Sequence, residues 1–570
     1  MKKCNLVEFF SGIGSQYKAL KNLKVQVNTI GTSEWDVHAI AAYDIMHTSI
    51  SIPDDIIDME KDELLKMLSK YTFSNSGKTP LDYKSLKTYS KLALQRIYAS
   101  IKNNRNYVDI NQLDGSMLSS EIDILTYSFP CQDLSNVGAF HGYNKGIDKN
   151  SGSRSSLLWQ VGRILTEMHE SHIDLPRFLL MENVPTLLSK RHWPNFKTWI
   201  DDLESLGYYS KFFELNASSF GLPQNRPRLL MISVYIGSNK LVKKVVEEFF
   251  SVKSDDVIVQ DYHDSKYFHE YHVSDFLRTD YNNPMLFKEA VECTPNDTVS
   301  RRKIWEENPQ IINERNEFNE SIESIRTITT KQDRNPNSGN LYFDSGIEGK
   351  SHFRYLTPRE CLLFMGFTDE DYEKLVQNEI EFHKGDAFFS RDKIIRMAGN
   401  SIPVKLLEGV FLQIMQLDEV IEAVKEQEEK KHMYYDIDTL KKIVKSYLYS
   451  KGIRSILKGQ NYPSNADIAY PKYFTAIYFK DYYFNKNNQF VNILSNLSRS
   501  SWERVFIKND NSMDAKVREA TDMGWNAIVI WKDQLMGENK ESILEDIAEL
   551  VKTGIGRDNQ KGKVSFLGRY

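Results

Sequence analysis

At 570 residues the chain is long enough for about three average domains, or for one large domain and an appendage. Its 41% hydrophobic and 26% charged residues are ordinary for a globular protein, and a formal net charge of -5 excludes bulk attraction to polyanions, so any nucleic-acid surface has to be a local basic patch. Cys4, Cys131, Cys293 and Cys361 form no CxxC pair, which argues against a disulfide framework and a cysteine-rich zinc site.

The chain reads as cytoplasmic, with reduced thiols. The apolar run after Met1-Lys2-Lys3 is broken by Asn5 and Glu8, unlike a secretory signal. No uncharged apolar stretch reaches the roughly 20 residues that a membrane span needs.

Leu6-Val7-Glu8-Phe9-Phe10 has the pattern of a buried strand, followed by Ser11-Gly12-Ile13-Gly14-Ser15 and a helix from Tyr17 to Leu23. Glycines at such a turn let the backbone approach a ligand. Glu34, 20 residues beyond Gly14, suits a ribose hydroxyl, and Trp35 offers a face to an adenine. The alternative is an ordinary βα turn. Residues 54 to 107 carry helical patterning, and between Lys66 and Tyr107 nine Lys/Arg face the single acid Asp82. With Tyr71, Tyr83, Tyr89 and Tyr98 interleaved, the segment is either a nucleic-acid contact or a solvated helical face. Val108-Asp109-Ile110 is a candidate strand end.

The apolar run Ile122 to Tyr127 ends in Ser128-Phe129-Pro130-Cys131-Gln132. This puts one thiol at the carboxyl end of a strand, where open α/β sheets build their sites. Cys131 reads as a nucleophile; the alternative is a small apolar core residue. Val137 to Ser153 is a polar, glycine-bearing loop of the kind that closes over substrates. After an amphipathic helix from about Leu157 to His169, a second buried strand runs from Phe178 into Met181-Glu182-Asn183-Val184-Pro185, and its carboxylate stands where a general acid belongs. Gln224-Asn225-Arg226-Pro227-Arg228 then brings two cations to the start of the strand Leu229 to Val234. From about 238 to 350 the patterning weakens, and a smaller domain carries Arg301-Arg302-Lys303 and the basic, hydroxyl-rich stretch Arg326 to Arg334. Leu356-Thr357-Pro358-Arg359-Glu360 is a helix start, Gly399-Asn400-Ser401-Ile402-Pro403 leads into a helix from Val404 to Leu417, and Glu419 to Lys431 reads as a solvated connector.

The ordered set FFSGIGS, EW, VDI, SFPCQ, MENV, QNRPR, RYLTPREC and GNSIPV resembles the DNA (cytosine-5) methyltransferases over residues 4 to 417. The resemblance implies an α/β fold: a Rossmann-like, doubly wound catalytic domain binding S-adenosylmethionine. Its first part is 1–237 with the basic insertion 54–107, followed by a target-recognition domain at 238–350 and a return segment at 351–417. It implies cofactor contacts at Phe10, Gly12, Gly14, Glu34, Trp35, Asp109, Ile110, Pro130, Leu157, Asn400 and Ser401. Catalytic roles fall on Cys131, Glu182, Arg226 and Arg228. The Cys131 thiolate would add to carbon 6 of a flipped cytosine, its pKa lowered by the cations. Glu182, raised by burial, would serve N3; Arg228 would stabilise charge on O2, with Arg226 bracing it. Double-stranded DNA is the expected partner, with a cognate restriction endonuclease as a further one; neither membrane nor structural metal is expected. The sequence departs from the family pattern at the insertion and at Ser15, where glycine is usual.

After a charged helical linker at 418–435, residues 436–570 look like the very short patch repair endonucleases, a branch of the restriction-endonuclease-like α/β fold. Asp467 falls on that family's metal-binding aspartate. Lys441, Lys480 and Asn485 replace its early glutamate and two histidines, and Tyr478 stands where a generic nuclease site has its second carboxylate. Tyr482, Tyr483 and Phe484 keep the aromatic wedge. The region is then a degenerate DNA-contacting or scaffolding module, or a cleaving domain that would make the chain a bifunctional restriction and modification enzyme.

Overall fold

The computed structural model describes residues 1–131, 134, 147, 154–307, 310–315, 322–333, 336–431, 437–454, 463, 466–480, 516–531, 535, 540–553 and 564–567. They form two compact units, Met1–Lys243 with Lys253–Leu417, and Lys244–Val252 with Asp418–Tyr570.

The first unit is built on a six-stranded sheet of β1 (Lys3–Phe9), β2 (Gln26–Ser33), β3 (Ile124–Tyr127), β4 (Phe178–Asn183), β5 (Tyr208–Asn216) and β7 (Pro227–Tyr235), in the order β2-β1-β3-β4-β7-β5. Strands β1 to β4 are parallel, whereas β7 runs antiparallel to β4 and β5. Runs such as Leu179-Leu180-Met181 are buried on both faces, as strands covered by helices on two sides must be. The reversal of β7 matters for function: its first residues share an edge with the carboxyl ends of β1 to β4.

The core lies between this sheet and the helices Leu158–Glu170 and Trp193–Ser205. Their inward residues Val161, Ile164, Leu165, Phe196, Trp199 and Leu203 are fully buried, each stabilising the fold by about 1.5–3 kcal/mol. Trp199 Nε1 also donates to the Tyr127 hydroxyl at 3.1 Å, which fixes the last turn of β3 before the Pro130-Cys131 turn.

Short pairings join distant parts of the unit. β6 (Gln224–Asn225) pairs with β8 (Ile325–Arg326), β9 (Leu341–Tyr342) with β10 (Phe353–Arg354), and β11 (Glu381–His383) with β12 (Asp386–Ala387). The stretch RYLTPREC is structural: Arg354 and Glu360 form a fully buried ion pair at 2.7 Å, and Thr357 and Glu360 make a capping box for the helix Pro358–Phe364.

Residues 54–107 differ from both expectations. They fold into the helices Asp54–Ile57, Lys61–Leu68, Tyr83–Lys87 and Lys91–Asn103. The last of these buries Leu94, Ile97, Tyr98 and Ile101, and even Arg96 turns inward toward Asp44 at 3.6 Å. Tyr89 and Tyr98 are core residues, so they are not available to stack on bases; Tyr83 remains exposed. Val108-Asp109-Ile110 is not a strand, because Val108 adopts φ +65°.

The second unit contains β13 (Ile468–Tyr470), β14 (Thr475–Lys480), β15 (Asn526–Trp531) and β16 (Val564–Leu567) in that order, β13 and β14 antiparallel and the rest parallel. The helices Ile437–Ser450 and Lys540–Thr553 cover it through Leu440, Val444, Leu448, Ile547 and Val551. Val420, Ile421 and Val424 are buried, so the connector expected at 418–435 is not solvated along its whole length.

Candidate active site

Four strand ends and the start of a fifth converge on one cavity. Cys131 follows β3, Glu182 closes β4, and Arg226 and Arg228 flank Pro227 at the start of β7; all four line it. The register explains why Glu182 and Arg228 meet. Glu182 lies opposite Leu230, and Arg228 is two residues earlier on the same face, so the two are diagonal neighbours joined by Arg228 Nε to Glu182 Oε1 at 2.8 Å. Burial raises the Glu182 carboxyl above its ordinary range, with Arg228 opposing it most strongly. Burial also pushes the Cys131 thiol up, and Arg228 and Arg226 do not overcome it. The expected lowering of the thiol by its cations is therefore not found: desolvation of a sulfur anion outweighs two nearby charges already engaged elsewhere.

Arg226 is a brace. It is 1% exposed, with Nη1 donating to Ile328 O at 2.7 Å and Nη2 to Gly399 O and Ser401 O at 2.8 Å. Gly399 is required there, since a Cβ would meet the Thr329 carbonyl carbon at 2.5 Å.

The residues expected at a cofactor gather on the other side of the cavity. Phe10, Gly12, Glu34 and Trp35 line it from the ends of β1 and β2, and Asp109, Ile110 and Pro130 from the neighbouring loops. Leu157, Asn400 and Ser401 complete it. Gly14 does not line the cavity. It sits at φ +78° at the start of the helix Ser15–Asn22, where a Cβ would meet the His47 and Tyr43 rings at 2.6–2.8 Å, so its role is packing. Gly12, at φ +53°, has nothing within 4 Å of the position a Cβ would take. Glu34 accepts from Gly12 N at 3.0 Å and Asp36 N at 2.8 Å, and burial, with Asp36 nearby, raises it to about 7. Asp36 is held by Arg396 at 2.7 Å. Behind the cavity, Glu8 of β1 is fully buried against the Tyr43 hydroxyl, and burial raises it to about 7.

Three positioning side chains were not foreseen. Asn183 Nδ2 donates to Phe129 O at 3.0 Å, Ser155 Oγ to Pro130 O at 2.6 Å and Thr186 Oγ1 to Leu134 O at 2.7 Å, which fixes the turn carrying Cys131 from three directions. Only Asn183 had a signal, as the neighbour of Glu182. Of the loop expected to close over substrate, Val137 to Ser153, all but Ile147 lie outside the described residues, as does Gln132.

In the second unit Asp467 is engaged. Its Oδ2 accepts from Phe479 N at 2.8 Å and its Oδ1 faces Lys441 Nζ at 3.7 Å. Among the described residues, no group of three or more His, Cys, Asp or Glu side chains is placed to hold a metal ion, and a lysine beside the one candidate carboxylate does not suit a divalent cation. Tyr482, Tyr483, Phe484 and Asn485 lie outside the described residues. No helix among those residues is long and apolar enough to cross a membrane.

Comparison with known proteins adds the following. A family model described as C-5 cytosine-specific DNA methylase matches residues 87–416. The orphan methyltransferase M.SssI of Spiroplasma monobiae is 31% identical over 426 residues, covering 72% of this chain and 97% of its own. The type II methyltransferase M2.ScrFI of Lactococcus lactis subsp. cremoris is 30% identical over 436 residues, covering 72% and 98%.

Proposed function

The chain belongs to the C-5 cytosine-specific DNA methylases and is a DNA (cytosine-5-)-methyltransferase, and from that premise we propose that it methylates carbon 5 of a cytosine flipped out of the duplex, with S-adenosylmethionine as donor, as the modification arm of a restriction-modification system. The observation that carries this reading is that Cys131, Glu182 and Arg228 share one cavity with Gly12, Glu34 and Trp35.

The residues present fit the cofactor. The open space at Gly12 admits a ligand against the backbone, the Glu34 carboxylate suits the two ribose hydroxyls, and Trp35 offers an adenine its face. When bound, S-adenosylmethionine supplies a methyl group activated by a sulfonium.

The chain's own residues then act on the base. Carbon 5 of cytosine is a weak nucleophile, and addition of Cys131 Sγ to carbon 6, with loss of the thiol proton, makes it enamine-like. Glu182, raised by burial, donates to N3 and drains the charge that develops in the ring. Arg228 orients Glu182 and stabilises charge on O2. After methylation the carbon 5 proton passes to solvent, N3 returns its proton to Glu182, and the bond from Sγ to carbon 6 breaks with its electron pair going to sulfur, so that the ring is restored and the thiolate takes a proton from solvent to become the thiol again. A stacked base cannot meet all three groups, which is the reason for flipping.

Residues 238–350 serve target recognition in this reading. Residues 436–570 act as a DNA-contacting or scaffolding module, supported by the engagement of Asp467 with Lys441. Incubation with tritiated S-adenosylmethionine and mixed-sequence DNA tests the main reading: label in 5-methylcytosine is expected, and its absence overturns it. Bisulfite sequencing of the same DNA gives the target sequence.

A further inference from the structure

The inserted segment is tied to the cofactor side of the cavity at two places. Asn106, 6% exposed, accepts with Oδ1 from Glu34 N at 3.1 Å and from Val108 N at 2.9 Å, while its Nδ2 donates to Glu34 O at 3.0 Å. One amide side chain thus holds the backbone at Glu34 and at Val108, the residue before Asp109. The main chain adds to this clamp, with Tyr107 N donating to Thr32 O at 2.8 Å and Thr32 N to Arg105 O at 3.3 Å. At the second place Ser74 N donates to Trp35 O at 2.8 Å and Ser74 O accepts from Val37 N at 3.0 Å, bringing Gly77 into the wall of the cavity.

We infer that Asn106 is a positioning residue for the cofactor, and that the segment 72–107 is an outer wall of the cofactor site. The inference rests on the S-adenosylmethionine reading above. Its physical basis is that Glu34-Trp35, just past β2, and Asp109-Ile110, which follow the helix Lys91–Asn103, lie on separate loops. Val108 holds φ +65°, a conformation unfavourable for a β-branched residue, and the Asn106 bonds hold it there. No other amino-acid side chain of this size can accept twice and donate once in this geometry: aspartate lacks the donor and alanine lacks both functions.

Calorimetric titration of the full chain with S-adenosylmethionine, without DNA, tests this. Asn106→Ala should raise the cofactor Kd tenfold or more and raise the cofactor KM with it, leaving the DNA KM and the kcat at saturating cofactor within about threefold of wild type. Should Asn106→Ala fail to fold, Gly77→Asn, which tolerates the positive φ of +66° and adds bulk to the wall, should weaken cofactor binding without lowering the melting temperature. A melting temperature lowered with cofactor Kd unchanged would assign Asn106 a structural role and overturn the inference, as would unchanged Kd in a folded Gly77→Asn. A wild-type chain that bound no S-adenosylmethionine would overturn the cofactor reading itself, a result separate from either variant's behaviour.

Discussion

Glu182 and Arg228 face each other diagonally across the antiparallel junction of β4 and β7, and their side chains close to 2.8 Å. The pairing makes the acid and its cation a unit. Arg228→Ala removes the strongest influence lowering Glu182, so the carboxyl should stay protonated to higher pH while charge on the base loses its partner. Single-turnover methylation should fall by about 10²–10³-fold, with the alkaline limb of the rate profile moved upward.

Cys131→Ser should lose methyl transfer by on the order of 10³-fold or more. With DNA carrying 5-fluorocytosine at the target, wild type should form a covalent adduct stable in denaturing gels. An adduct of equal yield from the serine variant would remove Cys131 as nucleophile. Because burial keeps the thiol above its ordinary pKa, alkylation of the DNA-free protein by iodoacetamide should be slow at neutral pH.

In the proposed cofactor site Glu34 would accept from two ribose hydroxyls, which calls for its ionised form, yet burial raises it to about 7. Cofactor binding should therefore release a proton below pH 7, with affinity rising toward pH 7 and levelling above it. Titration at pH 6 and 8 should show about a tenfold difference in wild type, and Glu34→Gln should bind more weakly with no such difference.

Glu8 gives the matching test on stability. Its folded pKa of about 7 lies above the ordinary 4.5, so the folded state binds the proton more tightly. The stability this contributes is fully present below about 4.5 and is lost as pH rises through 7. Glu8→Gln should remove that dependence and gain on wild type between pH 5 and 8 by on the order of 3 kcal/mol, read from thermal melts.

Plasmid DNA incubated with the full chain and Mg²⁺ should stay supercoiled, and Asp467→Ala should behave alike. Cutting by wild type that the variant lost would restore the cleavage reading that Lys441 disfavours.

The side of the cavity that carries Cys131, Glu182 and Arg228 was legible because each of these residues lies at or just past the end or start of a strand, and strand ends announce themselves as apolar runs stopped by Pro, Gly or a charge. Cys131, Glu182 and Arg228 could be placed on one edge from that alone. What could not be read was anything set by long-range packing. Gly14 looked like a ligand contact and instead makes room for His47 and Tyr43. Tyr89 and Tyr98 looked like stacking residues, but the helix Lys91–Asn103 turns Tyr98 inward and Tyr89, just before it, packs against Phe382. Asn106 gave no signal, since its partner Glu34 lies 72 residues away. The direction of the Cys131 shift depends on how much water the folded site excludes, which charge counting along the chain misses.

The brace at Arg226 has a consequence for how the enzyme comes into being. Its three carbonyl partners belong to residues 102, 173 and 175 positions further along the chain. Until residues 399 to 401 have been made, two of the three carbonyls that hold the Arg226 guanidinium are absent, although β7 itself already pairs with β4 and β5. Contacts of such sequence separation form late in folding. The Arg226 brace thus ties completion of this wall of the cavity to the chain as far as Ser401.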